Sequence, residues 1–153
     1  MSKKLEELYE DLEKYKNFDD GDNTEKFLYT LDQIVAFQNP SSIPIIIKYF
    51  DDDTDYGWVM QSLINAIESF ADERYVVKVL ENIQILLNSA EGWCVDLLFS
   101  LINNESCLKL FRDNIHLAPK ESLLKLFDLM EKESPHHAAI IKELREELAK
   151  FST

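Results

Sequence analysis

Apolar residues recur at intervals of three and four along almost the whole chain, and this spacing decides the fold class. Near the start, Leu5, Leu8, Leu12 and Tyr15 form one stripe of an amphipathic helix. Only three glycines and four prolines interrupt the 153 residues. A β-sandwich or β-barrel needs many more tight turns than these residues provide. The sequence therefore predicts an all-α protein.

Proline and capping signals divide the chain into about nine helices within one domain over residues 1–153. Asn39-Pro40 and Ser134-Pro135 each end a helix, and Pro119 begins one. The side-chain caps that we predict are Ser41 or Ser42, Thr54, Asp72 and Ser89. After the first helix, we expect helices over about 24–37, a short segment containing 45–47, then 54–70, 73–87, 89–103, 105–114, 119–133 and a last one to 151.

An internal repeat links two of these helices at a spacing of 35 residues. Gly57-Trp58 in the first copy aligns with Gly92-Trp93 in the second, and a capping residue stands three places before each glycine. Helix pairs that repeat at this period are typical of α-solenoids. The sequence therefore predicts a right-handed, HEAT-like helical repeat.

The negative charge is concentrated in the middle of the chain. The whole chain has a net charge of −13, and residues 17–108 hold sixteen acidic residues against four cationic ones. A protein that binds a phosphate backbone needs a basic surface, so direct binding to nucleic acid or to an anionic membrane is excluded. An acidic surface of this kind favours a basic protein partner.

Each repeat helix places its tryptophan opposite its apolar face. In the first copy, Met60, Leu63 and Ile67 point inward, whereas Trp58 lies with polar side chains. The alternative is that each tryptophan packs between neighbouring helices. We predict a partner-binding surface made of Asp51, Asp52, Asp53, Asp55, Trp58, Gln61, Asn65, Glu68, Glu91, Trp93, Asp96 and Asn103.

No motif for catalysis, metal or cofactor binding is found. Asp51, Asp53 and Asp55 resemble the first ligands of an EF-hand, but that loop needs glycine and glutamate where Tyr56 and Ser62 stand. The adjacent residues His136 and His137 point in different directions on a helix, so they are not expected to bind one metal ion together. No phosphate-binding or dinucleotide-binding loop occurs. We therefore expect a protein that is not an enzyme and that has no metal or cofactor.

The chain carries no targeting signal that we can identify. Its start has lysines but no apolar segment after them, and its apolar runs are too short to span a bilayer. The two cysteines, Cys94 and Cys107, are too few for a disulfide framework. These features predict a cytoplasmic protein.

Residues of the repeat resemble a known family. The segment Asp51–Asp55 with Trp58, the run Ile67–Phe70, and Glu91-Gly92-Trp93 are similar to immunity protein 30, over about residues 24–115. Gly92 stands between Glu91 and Trp93, whereas the family has glutamate directly before tryptophan. The resemblance implies an all-helical protein encoded beside toxins in bacterial polymorphic toxin and contact-dependent growth inhibition systems.

The resemblance also implies a function. Such a protein binds and neutralises a cognate toxin C-terminal domain, and many of these domains are nucleases with basic clefts. The charge distribution, which is independent of the resemblance, agrees with a partner of this type. The alternative that stays open is a HEAT-like adaptor or scaffold for another basic protein.

Overall fold

The computed structural model of the chain describes residues 3–151. Over this range it contains ten α-helices, two short 3-10 helices and no strand, so the all-α prediction is confirmed. The α-helices are α1 Leu5–Lys14, α2 Asn23–Ala36, α3 Ser42–Ile47, α4 Gly57–Glu68, α5 Asp72–Glu81, α6 Ile83–Ser89, α7 Glu91–Ile102, α8 Glu105–Asp113, α9 Lys120–Glu133 and α10 Ala138–Ala149. The 3-10 helices are Ile115–Leu117 and Pro135–His137.

The helix predicted over residues 73–87 is wrong, because two helices occupy that segment. Asn82 separates α5 from α6, and its side-chain amide donates a hydrogen bond to the carbonyl of Lys78 at 2.7 Å. Asparagine competes for nearby backbone groups in this way and so favours a break in a helix. No proline or glycine lies at this position, so the apolar periodicity predicted one continuous helix.

Ser41 is the N-cap residue of α3, as predicted, although its side chain makes no capping hydrogen bond. The caps predicted at Thr54, Asp72 and Ser89 are wrong, because Tyr56, Ala71 and Ala90 hold those positions. Thr54 accepts a hydrogen bond from the backbone N–H of Tyr56 at 3.1 Å, within the turn that precedes α4. Ser89 is the last residue of α6, where its hydroxyl donates to the carbonyl of Ile85 at 3.0 Å. Each of these side chains therefore forms its hydrogen bond within the segment that precedes the helix it was predicted to cap.

Helices α2 and α4 pack side by side and run in the same direction. At their starts, the hydroxyl of Tyr56 donates to the carboxylate of Asp19 at 2.7 Å. At their ends, the side-chain amide of Gln38 reaches the carbonyl of Ser69 at 3.5 Å. The N-terminal ends of α2 and α4 are therefore adjacent, and so are their C-terminal ends, which makes the two helices parallel.

Helices α4 and α7, which carry the two tryptophans, are also parallel neighbours. At their starts, a Cβ atom on Gly57 would lie 3.9 Å from the Trp93 ring. Toward their ends, the hydroxyl of Ser100 donates to the Glu68 carboxylate at 2.6 Å.

The row continues to α9. Glu91 at the start of α7 forms an ion pair with Lys125 at 3.4 Å. Beyond the end of α9, the His137 ring lies against the Phe99 ring with centroids 4.8 Å apart. Helices α2, α4, α7 and α9 thus form one row whose members share a direction.

A second group of helices packs against this row. In that group α5 contacts both α3 and α8, and the Tyr75 hydroxyl lies 2.9 Å from the Cys107 thiol. Asp72, instead of capping α5, accepts a hydrogen bond from Ser106 of α8 at 2.7 Å. One cluster of buried apolar side chains includes members of all ten α-helices. The right-handed, HEAT-like winding itself stays a prediction.

Candidate partner-binding surface

The two tryptophans of the repeat lie in different surroundings. Trp58, in the first turn of α4, is 57% exposed. Trp93 is half-buried and packs against the core, with its ring 6.4 Å from the ring of Phe50 and close to Gly57. The predicted exposure thus applies to Trp58, whereas Trp93 fits the alternative of packing between helices.

Asp52 holds the start of α7 from outside that helix. Its two carboxylate oxygens accept hydrogen bonds from the backbone N–H groups of Gly92 at 2.8 Å and Trp93 at 3.1 Å. A Cβ atom at position 92 would lie 3.2 Å from the Asp52 carboxylate, so glycine provides the space for this contact. A carboxylate at a helix N-terminus satisfies unpaired donors and complements the helix dipole. Asp52 is therefore a structural cap that fixes the loop before α4 to α7.

The rest of this loop is ordered by its own side chains. The carboxylate of Asp51 accepts a hydrogen bond from the backbone N–H of Asp53 at 2.9 Å, while Asp53 and Asp55 stay exposed. A cleft of about 430 Å³ opens beside the loop, and both acidic and basic side chains line it. The acidic ones are Asp19, Asp51, Asp53 and Asp55, and the basic ones are Lys16 and Lys48. Asp51 and Asp52 are therefore held in place, while Asp53 and Asp55 lie in solvent shortly before the first turn of α4, which contains Trp58.

The shared direction of α2, α4 and α7 brings their N-terminal ends to one side of the molecule. Eight exposed acidic residues precede or begin these helices, and we call this set the acidic end. Its members are Asp19, Asp20, Asp22, Asp51, Asp52, Asp53, Asp55 and Glu91. Lys26 pairs with Asp22 at 3.2 Å, and Lys125 pairs with Glu91. Asp19 and Asp52 accept hydrogen bonds from Tyr56 and from the start of α7, but neither they nor the remaining members form an ion pair within residues 3–151. Their net negative charge can therefore attract a cationic partner.

Asp96 extends the negative surface along α7. Partial burial raises the pKa of its carboxyl above the ordinary value, and the neighbouring carboxylates of Glu133 and Asp52 raise it further. A carboxyl with a raised pKa is held as an anion at a cost, and a cation placed nearby relieves that cost. Glu133, on α9, is a contributor that the sequence pattern did not identify.

Three other predicted site residues have partners within the fold. Glu68 is half-buried and accepts the hydrogen bond from Ser100, and Glu91 pairs with Lys125. The amide oxygen of Asn103 lies 3.0 Å from Nε2 of His137, whose Nδ1 in turn lies 2.8 Å from the Ser134 hydroxyl. These contacts tie α7 to its neighbours on both sides.

Gln61 and Asn65 are exposed beside Trp58. The Gln61 amide donates to the Asn65 side-chain oxygen at 3.2 Å, and both residues follow Trp58 on the outer side of α4. Trp58, Gln61 and Asn65 thus share the outer side of α4, the helix that follows the loop Asp51–Asp55, whereas Asp96 and Asn103 lie on α7, farther along the row.

A groove between α2 and α4 was missed by the sequence pattern. It has a volume of about 370 Å³, and Asp32 of α2 lies in its lining. Leu28 and Val35 of α2 line it as half-buried residues. Only the packing of two helices reveals such a groove, although the spacing of positions 28, 32 and 35 places these residues on one helix face.

The described part of the chain holds neither a cluster of metal ligands nor a membrane-spanning helix. Within residues 3–151, no three histidine, cysteine, aspartate or glutamate side chains come together as a metal site requires. No helix in the same range is both long and apolar enough to cross a membrane.

Comparison with known proteins agrees with the resemblance found in the sequence. The family model of immunity protein 30 matches residues 14–111, from the end of α1 to α8. This match includes both tryptophans, the loop Asp51–Asp55 and the α2/α4 groove. Comparison with curated proteins and with solved structures gave no match. Because the family model covers well over half of the chain, this protein belongs to the immunity protein 30 family.

Proposed function

We propose that this chain binds and neutralises a cognate bacterial toxin domain, and that this domain is a nuclease with a basic cleft. Family membership supports a toxin partner. The observation that carries the finer proposal is the exposed Trp58 beside the acidic end, since this pairing offers an apolar anchor and a negative field together. Toxin systems of the polymorphic or contact-dependent type, acting on a cytoplasmic target, are the setting we propose.

The acidic end provides electrostatic complementarity to such a cleft. A nuclease cleft is basic because it holds phosphates, so carboxylates at fixed positions compete with the nucleic acid for it. Charge complementarity also raises association rates, by about 10-fold to 1,000-fold in favourable cases. Fast capture is useful because the toxin must be bound before it acts.

Trp58 provides the anchor. Tryptophan is enriched among residues that dominate interface energetics, since it buries a large area and retains one N–H donor. Gln61 and Asn65 beside it add amide donors and acceptors. We propose that most of the binding energy comes from this part of α4 and that the acidic end mainly accelerates association.

We further propose that the row of α2, α4, α7 and α9 belongs to a right-handed, HEAT-like repeat. The repeat of 35 residues and the parallel neighbours in the row support this arrangement. In that arrangement the exposed sides of successive helices form one continuous surface, which is the geometry that a large partner needs.

The test is co-expression with the toxin domain encoded directly next to this gene. We expect the wild-type chain to restore growth and to co-purify with the toxin domain, and Trp58→Ala to lose both. Ile85→Ala is the matched control, because Ile85 on α6 is similarly exposed at 53%. Equal losses for Trp58→Ala and Ile85→Ala would contradict the proposed surface. Failure of the wild-type chain to bind the toxin would favour the adaptor alternative.

A further inference from the structure

We propose that the groove between α2 and α4 is the site where the toxin inserts a segment with an apolar side chain next to a lysine or arginine. This inference rests on the proposed function and specifies its partner contact. It follows from comparing two seams of the helix row. We call them the α2/α4 seam, lined by 28–35 and 62–69, and the α4/α7 seam, lined by 57–68 and 93–100.

The α4/α7 seam is filled by side chains of α7. Trp93 packs beside Gly57, and Leu97 is fully buried. Farther along, Ser100 is hydrogen-bonded to Glu68 of α4. The side of α7 that carries Trp93, Leu97 and Ser100 therefore packs against α4.

The corresponding side of α4, which carries Trp58, Ser62 and Asn65, leaves the α2/α4 seam open. The repeat aligns Trp58 with Trp93, Ser62 with Leu97, and Asn65 with Ser100. Ser62 is a small polar residue where leucine fills the other seam, and its hydroxyl donates to the carbonyl of Trp58 at 3.1 Å. Asn65 makes its side-chain contact with Gln61 on α4 itself, so it is not used to join α4 to α2. In the α4/α7 seam, side chains of α7 fill the space between the two helices. In the α2/α4 seam, the corresponding space is an open groove of about 370 Å³.

The lining of this groove indicates the chemistry of its occupant. Leu28, Val35 and Ala66 provide apolar walls, while Asp32 is an exposed carboxylate in the lining. Within residues 3–151, no lysine, arginine or histidine nitrogen lies within 4.0 Å of the Asp32 carboxylate. A segment that joins an apolar side chain to a cation matches both features.

A second copy of this chain does not fit the groove as well. Each copy has a net charge of −13, and residues 17–108, which contain the groove, hold most of it. Two such surfaces repel each other, whereas a basic toxin domain is attracted. Charge complementarity therefore selects the toxin as the occupant.

The test measures the affinity of the catalytically inactivated toxin domain, encoded next to this gene, for variants of the intact chain. Ser62→Leu places in the open seam the residue that fills the other one, and Asp32→Lys reverses the charge in the groove. We expect each variant to weaken binding by about tenfold or more, because a blocked pocket and an opposed charge both raise the dissociation rate.

The controls are Ser89→Leu, the same substitution at an exposed position on α6, and Glu146→Lys, a matching reversal of charge at an exposed position on α10. We expect both controls to bind like the wild type. Thermal unfolding checks that every variant is folded, and Ser62→Leu keeps the test decisive if Asp32→Lys fails to fold.

Two failures are distinguishable. If Trp58→Ala loses binding while Ser62→Leu and Asp32→Lys bind as well as their controls, the groove proposal is wrong and the proposed function stands. If the wild-type chain does not bind the toxin domain at all, both proposals are wrong.

Discussion

The α2/α4 seam and the α4/α7 seam present the same tryptophan motif in two different states. In the α4/α7 seam, Trp93 and Leu97 pack into the fold, and Asp52 holds the backbone beside them. Beside the α2/α4 seam, Trp58 stays exposed, one helical turn before Ser62 in the groove lining. A repeat thus specifies where a tryptophan stands on its helix, and the neighbouring helix decides whether it stabilises the fold or remains available to a partner.

The largest expected effect on stability separates the two tryptophans. Trp93→Ala removes a ring that packs against Phe50 and the core, so we expect the free energy of unfolding to fall by about 3 kcal/mol. Trp58→Ala changes an exposed position, and we expect a change within about 0.5 kcal/mol. Urea denaturation measures both values, and equal losses from the two variants would remove the distinction between the seams.

A smaller effect is expected from the contact between Asp52 and Gly92. Asp52→Ala leaves two helix N–H groups without their acceptor, so we expect a loss of about 1 kcal/mol. Gly92→Ala gains helix propensity worth about 1 kcal/mol but brings a Cβ atom against the Asp52 carboxylate.

We therefore expect Gly92→Ala to stabilise the chain only in the Asp52→Ala background. A double-mutant cycle of unfolding free energies measures this coupling. Additive effects would show that the close approach of Asp52 does not require glycine.

The sequence was sufficient to predict the features that depend on one helix at a time. The 3.6-residue period identified the buried faces of α4 and α7, and prolines marked several helix ends. It was not sufficient for features that join distant segments. Asp52 and Gly92 are 40 positions apart, and nothing in either local pattern indicates that they meet.

The candidate surface shows the same division. The position of Trp58 opposite the apolar face of α4 correctly predicted that it is exposed. The same argument failed for Trp93, because α4 and Phe50 cover its ring. Asp32 and Glu133 were missed because each belongs to the surface only through helix packing.

The smallest expected effect concerns Asp96, whose pKa is raised by partial burial and by Glu133 and Asp52. A raised carboxyl pKa in the folded state means that ionised Asp96 opposes folding above that pKa. Asp96→Asn should therefore be more stable than the wild type at pH 7. The difference should shrink as pH falls through the raised pKa, and it should vanish below about pH 3.9, where the unfolded aspartate is also protonated.

Thermal unfolding of Asp96→Asn and the wild type across this range measures the difference. Glu146→Gln on α10 is the control for a change of charge at an exposed position. A wild type that is more stable than Asp96→Asn at neutral pH would contradict the unfavourable placement of this carboxylate.

The division of roles between the two tryptophans is tested most directly by labelling both with fluorine and recording 19F NMR spectra. Trp58→Phe and Trp93→Phe assign the two resonances, and the unlabelled toxin domain is then added. We predict that the Trp58 resonance shifts and loses its sensitivity to solvent, while the Trp93 resonance stays in place. A Trp93 resonance that responds to the toxin while Trp58 does not would contradict the account.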